Sequence, residues 1–401
     1  MKKDKIILIV LFCVLLFCGS VIPCFLPQKK TSQMENRTLQ TKPAFHVTSF
    51  LSGTYQTKYE TYLNDQFLLR DRFVDLASTV TLAMGRRSFN GIYVAKDGYL
   101  LEEYPQSQFD RGQCRENETI LTDFLNVMAE RYGAEHAHLM LVPSKTEGMK
   151  KQLKAAAAMT SFAADRDRMK QALSSEKMYV DVVPALTQKT EKQRYYRTDH
   201  HWTSYGAFLA YQQYAKQVLQ KEAVEDDYKK TSVYHDFYGT SYKKAHVKKQ
   251  ADTIETWSCQ HPSSVSVCFD QKKKTYDSLY FPDKAKTSGS RYDLFLGGNT
   301  FLVDIKTTAH TGRTLLLLKD SFANAFVPFL TEDYDRILMV DVRYKSQKME
   351  TILEENEDIT DVLVLYNTEK LMQNRKLSRL KLTPDKKKKK DSIKEFDFDD
   401  L

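Results

Sequence analysis

Short, continuously apolar runs recur along this chain and predict the strands of a buried sheet. The clearest are residues 137–142, 314–318 and 361–365. Strands that are apolar at every position are buried on both faces, which is typical of a parallel sheet covered by helices. Amphipathic helical patterns lie between such runs, for example at 119–132 and 203–219. The alternation predicts an α/β fold with a mostly parallel sheet flanked by helices.

The remaining segments are less regular. Residues 45–83 space their apolar side chains as in one or two amphipathic helices. Residues 91–101 are typical of a strand, a tight turn and a return strand, and residues 228–283 of short strands and loops. Further strands are predicted at 178–183, 294–296 and 336–340, and further helices at 152–158, 165–173, 322–330 and 347–354.

The N-terminal pattern differs from the rest of the chain. Residues 6–26 form an uncharged stretch of 21 residues, which as a helix spans about 30 Å, the thickness of a bilayer core. Lys2, Lys3 and Lys5 precede it, so residues 1–5 are expected to stay cytoplasmic and the rest to be exported. We expect an uncleaved transmembrane signal-anchor that holds the chain in the cell membrane by a single pass. A cleaved signal peptide with its apolar core at 6–17 is the alternative, and in both cases the bulk of the chain is extracellular.

The other boundaries follow from composition. Residues 27–43 are expected to be a polar linker, 44–380 one extracellular domain, and 381–401 a disordered charged tail. The aromatic fraction of 12% argues against a wholly disordered protein. The net charge of +8 is modest and partly terminal, so it does not indicate nucleic-acid binding.

Three cysteines lie outside the apolar N-terminal stretch. Cys259 and Cys268 flank a short loop, and they form either a local disulfide in an oxidising compartment or two free thiols. Cys114 is then left without a disulfide partner. The sequence contains no CxxC pair, so a zinc ribbon is not supported, and no cofactor is expected.

Two short motifs stand apart from the rest. The first is TDHHWT at 198–203, directly before a predicted helix. The second is KDSF at 319–322, where an apolar strand ends and a helix begins. A serine on such a turn presents its hydroxyl at the carboxyl edge of the sheet. Its own backbone N–H and those of the first helical turn lack intrahelical partners and can bind a developing oxyanion.

Together these motifs contain the parts of a nucleophilic serine site. A serine nucleophile needs a base, and the base needs an acceptor that orients it. In an extended stretch, residues i and i+2 point to the same side, so Asp199 is expected to hold Nδ1 of His201 while Nε2 faces Ser321. His200 is then expected to point away, and Trp202 to pack beneath the site and fix the imidazole plane.

At these residues the sequence resembles the DHHW proteins, which are similar to the SGNH-hydrolase-like proteins of alginate O-acetylation. Residues 199–202 and the later Ser321 motif carry the resemblance, which covers most of the exported part. It implies an SGNH-like, circularly permuted sheet, because the order Asp, His, Ser inverts the usual order. The implied triad is Asp199, His201 and Ser321. The alginate relatives have no histidine at the middle position, which leaves His200 as the second candidate for the base.

Further site residues follow from that resemblance. In SGNH-type enzymes a glycine N–H and an asparagine amide complete the oxyanion hole, which implies Gly298 and Asn299. Gly239 is another candidate, and a plain turn is the alternative for each position. The residues next to these motifs are candidates for substrate binding or support: His200, Trp202, Tyr196 and Asp320.

The expected function is that of a membrane-anchored extracellular acyl-ester enzyme, an O-acetyltransferase or esterase. It would act on a cell-surface polysaccharide or wall polymer through an acyl-enzyme at Ser321. The resemblance implies a membrane-bound O-acyltransferase as the partner that delivers the acyl group. A non-catalytic glycan- or wall-binding protein of the same fold is the second hypothesis.

A metal site is a further interpretation of the paired histidines. Its ligands would be Asp199, His200 and His201, together with His235 or His261. We favour it less, because adjacent histidines in an extended chain diverge and the sequence contains no HExxH motif.

Overall fold

The computed structural model describes residues 3–21, 27–32, 37–153, 159–344 and 347–382. The helices are α1 Lys3–Val21, α2 Val47–Leu51, α3 Thr54–Gln66, α4 Arg70–Ala83, α5 Arg111–Tyr132, α6 Lys145–Leu153, α7 Ala163–Ala172, α8 Val183–Thr187, α9 Ser204–Gln217, α10 Thr240–Ala245, α11 Pro282–Thr287, α12 Ala323–Phe326, α13 Met349–Glu354 and α14 Thr368–Met372. The strands are β1 Thr31–Ser32, β2 Arg37–Thr38, β3 Ser88–Phe89, β4 Ile92–Val94, β5 Leu100–Glu102, β6 Ala137–Val142, β7 Tyr179–Val180, β8 Tyr228–Phe237, β9 Asp252–Cys259, β10 Val265–Phe269, β11 Thr275–Tyr276, β12 Leu302–Thr307, β13 Thr314–Lys319, β14 Arg336–Val340 and β15 Asp361–Asn367.

The central sheet has eight strands in the order β11-β10-β12-β14-β13-β15-β6-β7. From β14 to β7 every neighbouring pair is parallel, and we call these five strands the parallel half. β12 pairs with β14 in the antiparallel sense, and β10 and β11 continue in that sense, so these three strands are the antiparallel half. The sheet is therefore mixed, which corrects the expectation of a mostly parallel sheet.

The antiparallel half was predicted only in part: β10 and β11 lie within residues 228–283, where short strands were expected, whereas β12 was not predicted and the place of these strands in the central sheet was not recognised. β10 and β12 mix buried positions with exposed ones, so their sequences lack the continuous apolar run that marks the parallel half. A short turn joins β10 to β11, where parallel strands would need a long crossover connection.

Alternate side chains of the parallel half pack into two cores, one on each face of the sheet. Leu315 and Leu317 of β13 face one core, whereas Leu316 and Leu318 face the other. α9 covers the first face and α5 covers the second. Burying each such side chain contributes about 1.5–3 kcal/mol. The helices therefore flank the sheet on both sides, as the sequence pattern predicted.

The start of α9 explains how the chain leaves the TDHHWT motif. Thr203 is the N-cap residue, and its Oγ1 accepts a hydrogen bond of 3.1 Å from the Gly206 N–H. Such a cap stabilises a helix by about 1 kcal/mol. The helix predicted from residue 203 therefore starts directly after its cap, at Ser204.

Most predicted elements are present, with shifted ends. The strands at 137–142 and 336–340 have the predicted bounds, and those at 314–318 and 361–365 extend by one and two residues as β13 and β15. The predicted strand at 294–296 is wrong, because a 3-10 turn covers Arg291–Leu294 and Leu296 has a φ of 56°.

Two helical predictions and one strand prediction changed in number or position. Residues 45–83 form three helices instead of one or two. The region of the predicted helix at 152–158 begins with α6 at Lys145, and residues 154–158 lie outside the described residues. The predicted strand at 178–183 is shortened to β7, because α8 begins at Val183 with Pro184 in its first turn, where the missing N–H is tolerated.

At the N-terminus, α1 covers much of the expected anchor. Within the described ranges, no helix combines the length and apolar character needed to cross a bilayer. Residues 22–26 of the expected anchor and residues 383–401 of the charged tail lie outside the described residues.

The thiols of Cys259 and Cys268 are both free, so the disulfide alternative is not formed. Cys259 ends β9, which pairs with β8 in a separate two-stranded sheet, whereas Cys268 belongs to β10 of the central sheet. The Cys268 Sγ lies 2.9 Å from the carbonyl oxygen of Lys272.

Candidate active site

Ser321 lies just beyond the carboxyl end of β13, on a turn that a buried carboxylate holds in place. Asp320 Oδ1 accepts the Phe322 N–H at 2.9 Å, and Oδ2 accepts the Asn367 N–H at 2.8 Å. These bonds tie the turn to the end of β15. Burial raises the pKa of Asp320. Ser321 itself is half-buried, and within the described part of the chain its N–H donates to no protein acceptor.

The TDHHWT motif forms the tip of a short hairpin. The Tyr196 N–H donates to the His201 carbonyl at 3.1 Å, and the Thr203 N–H donates to the Arg194 carbonyl at 2.8 Å. At the tip, Asp199 Oδ1 accepts the backbone N–H of His201 at 3.0 Å. The motif is therefore a turn and not an extended stretch.

The structure brings together the three residues that the sequence placed in one site. Asp199 Oδ1 lies 2.6 Å from His201 Nδ1, and His201 Nε2 lies 2.7 Å from Ser321 Oγ. Burial alone would raise the pKa of Asp199, but the charges of His200 and His201, with hydrogen bonds from His201 and the Thr240 N–H, hold that pKa well below its usual range. The ionised carboxylate accepts the Nδ1 proton, which leaves Nε2 free to accept the serine proton.

A close backbone approach holds Asp199 from its other side. Asp199 Oδ2 accepts the Thr240 N–H at 2.7 Å and the Thr240 hydroxyl at 3.0 Å. A Cβ at Gly239 would overlap the Asp199 side chain, so glycine is needed there for space. The Gly239 N–H already donates to Thr198 Oγ1 at 3.2 Å. Gly239 therefore supports the acid, which corrects its assignment as an oxyanion donor.

Two buried charges fix the hairpin tip through its backbone. Lys145 Nζ donates to the Asp199 carbonyl at 2.6 Å and to Ser241 Oγ at 3.1 Å, and burial lowers the pKa of this lysine. Asp252 Oδ2 accepts the Thr198 N–H at 2.7 Å and the Thr198 hydroxyl at 2.6 Å. Neither Lys145 nor Asp252 was among the site residues predicted from the sequence.

An aromatic ring orients the imidazole, but it is not the ring that the sequence indicated. Tyr292 stacks on His201 with ring centroids 3.7 Å apart and planes 5° apart, and its hydroxyl donates to the Ser321 carbonyl at 3.2 Å. Trp202, expected in this role, instead donates its Nε1–H to the Phe322 carbonyl at 3.0 Å. Trp202 therefore joins the hairpin to the serine turn. Sequence reasoning missed Tyr292, because only the folded chain brings it to the site.

Two supporting candidates lie differently from the expectation. Tyr196 is fully buried and packs edge-on against Phe237 at 5.2 Å, so it does not line an open sugar site. The His200 ring lies 3.8 Å from the His201 ring and does not point away. Its Nδ1–H donates to Thr240 Oγ1 at 2.6 Å. Because the bond to the serine belongs to His201, the geometry favours His201 as the base.

The DHHW protein family model matches residues 164–340 of this chain. This range contains both the hairpin with its Asp-His-His-Trp tip and the serine turn. The resemblance to DHHW proteins is thereby confirmed. The search of the curated proteins found no match.

Solved structures share the fold of this DHHW-like chain. A DHHW family protein from Eubacterium siraeum is 24% identical with a TM-score of 0.59, over 73% of this chain and 95% of that one. PatB1 of Bacillus cereus is 20% identical with a TM-score of 0.57, over 73% and 99%, and PatB1 has also been solved with a sulfonyl adduct. The O-acetyltransferase domain of Pseudomonas putida AlgJ is 14% identical with a TM-score of 0.44, over 73% and 96%, a likeness too slight to support a conclusion.

The DHHW resemblance also implied Gly298 and Asn299 as oxyanion donors, and the hydrogen bonds that these two residues already make differ. The Gly298 N–H donates to the Phe295 carbonyl at 3.3 Å, so it is already used. Asn299 Oδ1 accepts from Lys319 Nζ at 3.1 Å and from Asn324 Nδ2 at 3.2 Å, which fixes the orientation of its amide. Burial lowers the pKa of Lys319 to about 8. The Asn299 amide and the N–H of the serine itself stay as the predicted oxyanion donors.

The interpretation as a metal site concerns the same side chains. Of the described residues, only Asp199, His200 and His201 form a group with ligand atoms close enough to share an ion, all within 4.8 Å. His235 and His261 are not part of this group. The Asp199 and His201 atoms that would bind an ion are engaged with each other and with Ser321. Their partners favour proton transfer over metal binding.

Proposed function

We propose that this chain is an extracellular acyl-ester enzyme, an O-acetyltransferase or esterase that acts on a cell-surface polysaccharide or wall polymer. The observation that carries the proposal is the hydrogen-bonded chain from Asp199 through His201 to Ser321, with distances of 2.6 Å and 2.7 Å. The serine lies just beyond the carboxyl end of β13 and is half-buried, so a substrate can reach it. The acetyl group and the polymer rest on what the sequence resemblance at the DHHW motif implies.

The geometry supports a two-step acyl transfer. Ser321 Oγ attacks the acyl carbonyl while His201 Nε2 takes its proton, and Asp199 stabilises the imidazolium. The Ser321 N–H and the Asn299 amide are the proposed donors to the oxyanion. The tetrahedral intermediate collapses to the acyl-enzyme as His201 returns the proton to the leaving group. A polymer hydroxyl or water, deprotonated by His201, then attacks the acyl-enzyme, and Ser321 regains its proton.

The membrane placement belongs to the same proposal. The uncharged residues 6–26 behind Lys2, Lys3 and Lys5 support a single-pass anchor with the site outside the cell. A membrane-bound O-acyltransferase that delivers the acyl group would then lie beside the anchor, as the resemblance implies. Protease accessibility of the folded domain in intact cells, compared with lysed cells, tests the orientation.

A sulfonyl fluoride probe tests the nucleophile, and the sulfonyl adduct of PatB1 motivates the choice. Purified full-length protein is treated with phenylmethanesulfonyl fluoride, and its intact mass and its hydrolysis of p-nitrophenyl acetate are measured. We expect one added sulfonyl group and loss of hydrolysis in the wild type, and neither labelling nor hydrolysis in Ser321→Ala. Ser232→Ala, which changes an exposed serine of β8, is the matched control and should behave like the wild type.

The same experiment separates the two functional hypotheses. Equal hydrolysis by the wild type and Ser321→Ala, with labelling at another residue, would contradict the proposal. A wild type that neither hydrolyses the ester nor reacts with the probe would favour the non-catalytic glycan- or wall-binding protein.

A further inference from the structure

A cavity of about 280 Å³ lies on the antiparallel half, next to the loop that carries Asn299. Three aromatic rings form one wall, with centroids 5.3–5.7 Å apart in edge-to-face contacts. Three exposed lysines surround it. The rings are those of Phe269, Tyr276 and Phe281, and the lysines are Lys272, Lys274 and Lys284.

The lysines leave the cavity with a positive charge. Among the described residues, none of the three forms an ion pair with an acidic side chain. Lys274 Nζ lies 4.8 Å above the ring of Tyr276. The one acid of the lining is Asp270, whose Oδ1 accepts the Leu302 N–H at 3.2 Å. Ammonium groups beside aromatic faces are suited to a ligand that combines a negative charge with a flat apolar surface.

The cavity and the candidate active site share one loop. Leu296, Gly297 and Thr300 line the cavity, and Asn299 of the same loop is bound to Lys319, two positions before Ser321. Gly297 has a φ of 64°, and a Cβ there would lie 3.6 Å from Phe281 Cγ. One loop therefore contacts both the cavity and the strand that carries the serine turn.

We infer that the cavity binds an anionic sugar unit of the polymer that the active site modifies, a unit that carries a carboxylate or a phosphate group. This inference rests on the proposed function. The apolar face of a sugar ring packs on the aromatic wall, and the lysines bind the negative group as point charges. The volume lies near the lower end of ligand pockets, which run from about 300 to 1,000 Å³, so the cavity fits a short segment of a chain and not a globular partner.

Binding measurements on full-length protein test the inference without turnover. Affinity for polygalacturonate is measured by calorimetry for the wild type and for the triple variant Lys272→Gln/Lys274→Gln/Lys284→Gln. The control triple Lys177→Gln/Lys189→Gln/Lys216→Gln removes the same charge from exposed lysines that do not line the cavity. We expect about tenfold weaker binding for the first triple, since three exposed charge contacts are lost, and less than a twofold change for the control.

Other ligands identify what the cavity recognises. A poly(glycerol phosphate) arm separates phosphate from carboxylate recognition, and preference for either polymer supports the inference. We expect Tyr276→Leu to weaken binding of polygalacturonate while leaving the weaker binding of polyglutamate unchanged, because only the sugar uses the aromatic wall. Equal losses in both lysine triples, tight binding of neutral dextran, or equal affinity for polyglutamate would overturn the inference.

Hydrolysis of p-nitrophenyl acetate keeps this test separate from the proposed function. The small ester does not use the sugar cavity, so both lysine triples should hydrolyse it at the wild-type rate. A wild type without hydrolysis would count against the enzyme, whereas active variants with unchanged polymer binding would count against the cavity alone.

Discussion

The two halves of the central sheet differ in burial and in what they contribute. The strands β6, β13 and β15 of the parallel half are buried at every position, whereas β10 and β12 of the antiparallel half are partly exposed. The parallel half holds the serine turn through Asp320 and the end of β15. The antiparallel half carries the lysine-rich cavity and the loop with Asn299. The more buried half thus positions Ser321, and the more exposed half carries the cavity that we propose for the polymer.

The largest effect on activity is expected at Asp199, in the hairpin that meets the carboxyl ends of the strands of the parallel half. Asp199→Asn presents an amide to His201 and favours the wrong tautomer, so kcat for p-nitrophenyl acetate should fall by about 10³- to 10⁴-fold. Asp236→Asn, at an exposed aspartate of β8, should leave kcat unchanged. A loss of less than tenfold in Asp199→Asn would remove the basis for placing the chemistry at this edge.

A pair of matched substitutions tests the difference in burial directly. Leu317→Ala in β13 removes a side chain that is fully buried between neighbours on both sides, and Leu302→Ala changes the end of β12, where 6% of the side chain is exposed. Denaturant unfolding should show a loss of about 3–5 kcal/mol for Leu317→Ala and about 2 kcal/mol for Leu302→Ala. Equal losses would mean that the two halves are packed alike.

A buried carboxyl group next to the parallel half gives a pH-dependent test. Burial raises the pKa of Glu369 in α14 to about 7, from an ordinary value of 4.5. Between these values the unfolded chain has released a proton that the folded chain still holds, so this group stabilises the fold at low pH and its contribution is lost as the pH rises towards 7. Between pH 4.5 and pH 8, the free energy of unfolding should therefore fall by roughly 1–3 kcal/mol less in Glu369→Gln than in the wild type. Urea unfolding at the two pH values measures this difference. Glu354→Gln, on an exposed residue of α13, should follow the wild type, and a Glu369→Gln curve that does so too would contradict the assignment.

The smallest effect on activity is expected at Tyr292, which lies in the segment between β11 and β12 and stacks on His201, the proposed base. Tyr292→Leu removes the ring that stacks on His201 and should lower kcat by about tenfold, since such ring pairs contribute about 0.5–1.5 kcal/mol. Tyr292→Phe keeps the ring and loses only the hydrogen bond to the Ser321 carbonyl, so it should stay within about threefold of the wild type. If both variants lose activity equally, the hydrogen bond and not the stacking orients the site.

Two features could be predicted from the sequence for clear physical reasons. They are the parallel half and the contact between the hairpin and the serine turn at the carboxyl ends of its strands. A continuous apolar run can be read from neighbouring residues, and a serine after such a strand has a known place at the sheet edge. The i and i+2 argument for Asp199 and His201 reached the right pair through the wrong conformation, because the motif is a turn closed by Asp199 Oδ1.

The missed parts all depend on contacts between distant segments. Tyr292 reaches His201 across 91 positions of sequence, and Asp252 reaches Thr198 across 54. Neither residue carries a local pattern that distinguishes it from an ordinary core tyrosine or a surface aspartate. The place of the antiparallel half in the sheet was missed for a related reason, since β12 takes its place from pairing with β14, and β10 from pairing with β12, and not from their own composition.

The glycine beside the acid carries a constraint that its own backbone does not reveal. Gly239 has a φ of −92° and a ψ of −160°, a conformation open to every amino acid, yet a methyl group there would collide with the side chain at position 199. The two positions are thus coupled: a Cβ at 239 would overlap the Cβ of Asp199 as well as its carboxylate, so alanine at 239 is excluded with any side chain at 199 unless the backbone shifts. Even a descendant that replaced the acid at 199 by alanine would therefore keep glycine at 239, so this glycine reports the close approach of two backbones and not whether the chemistry was kept.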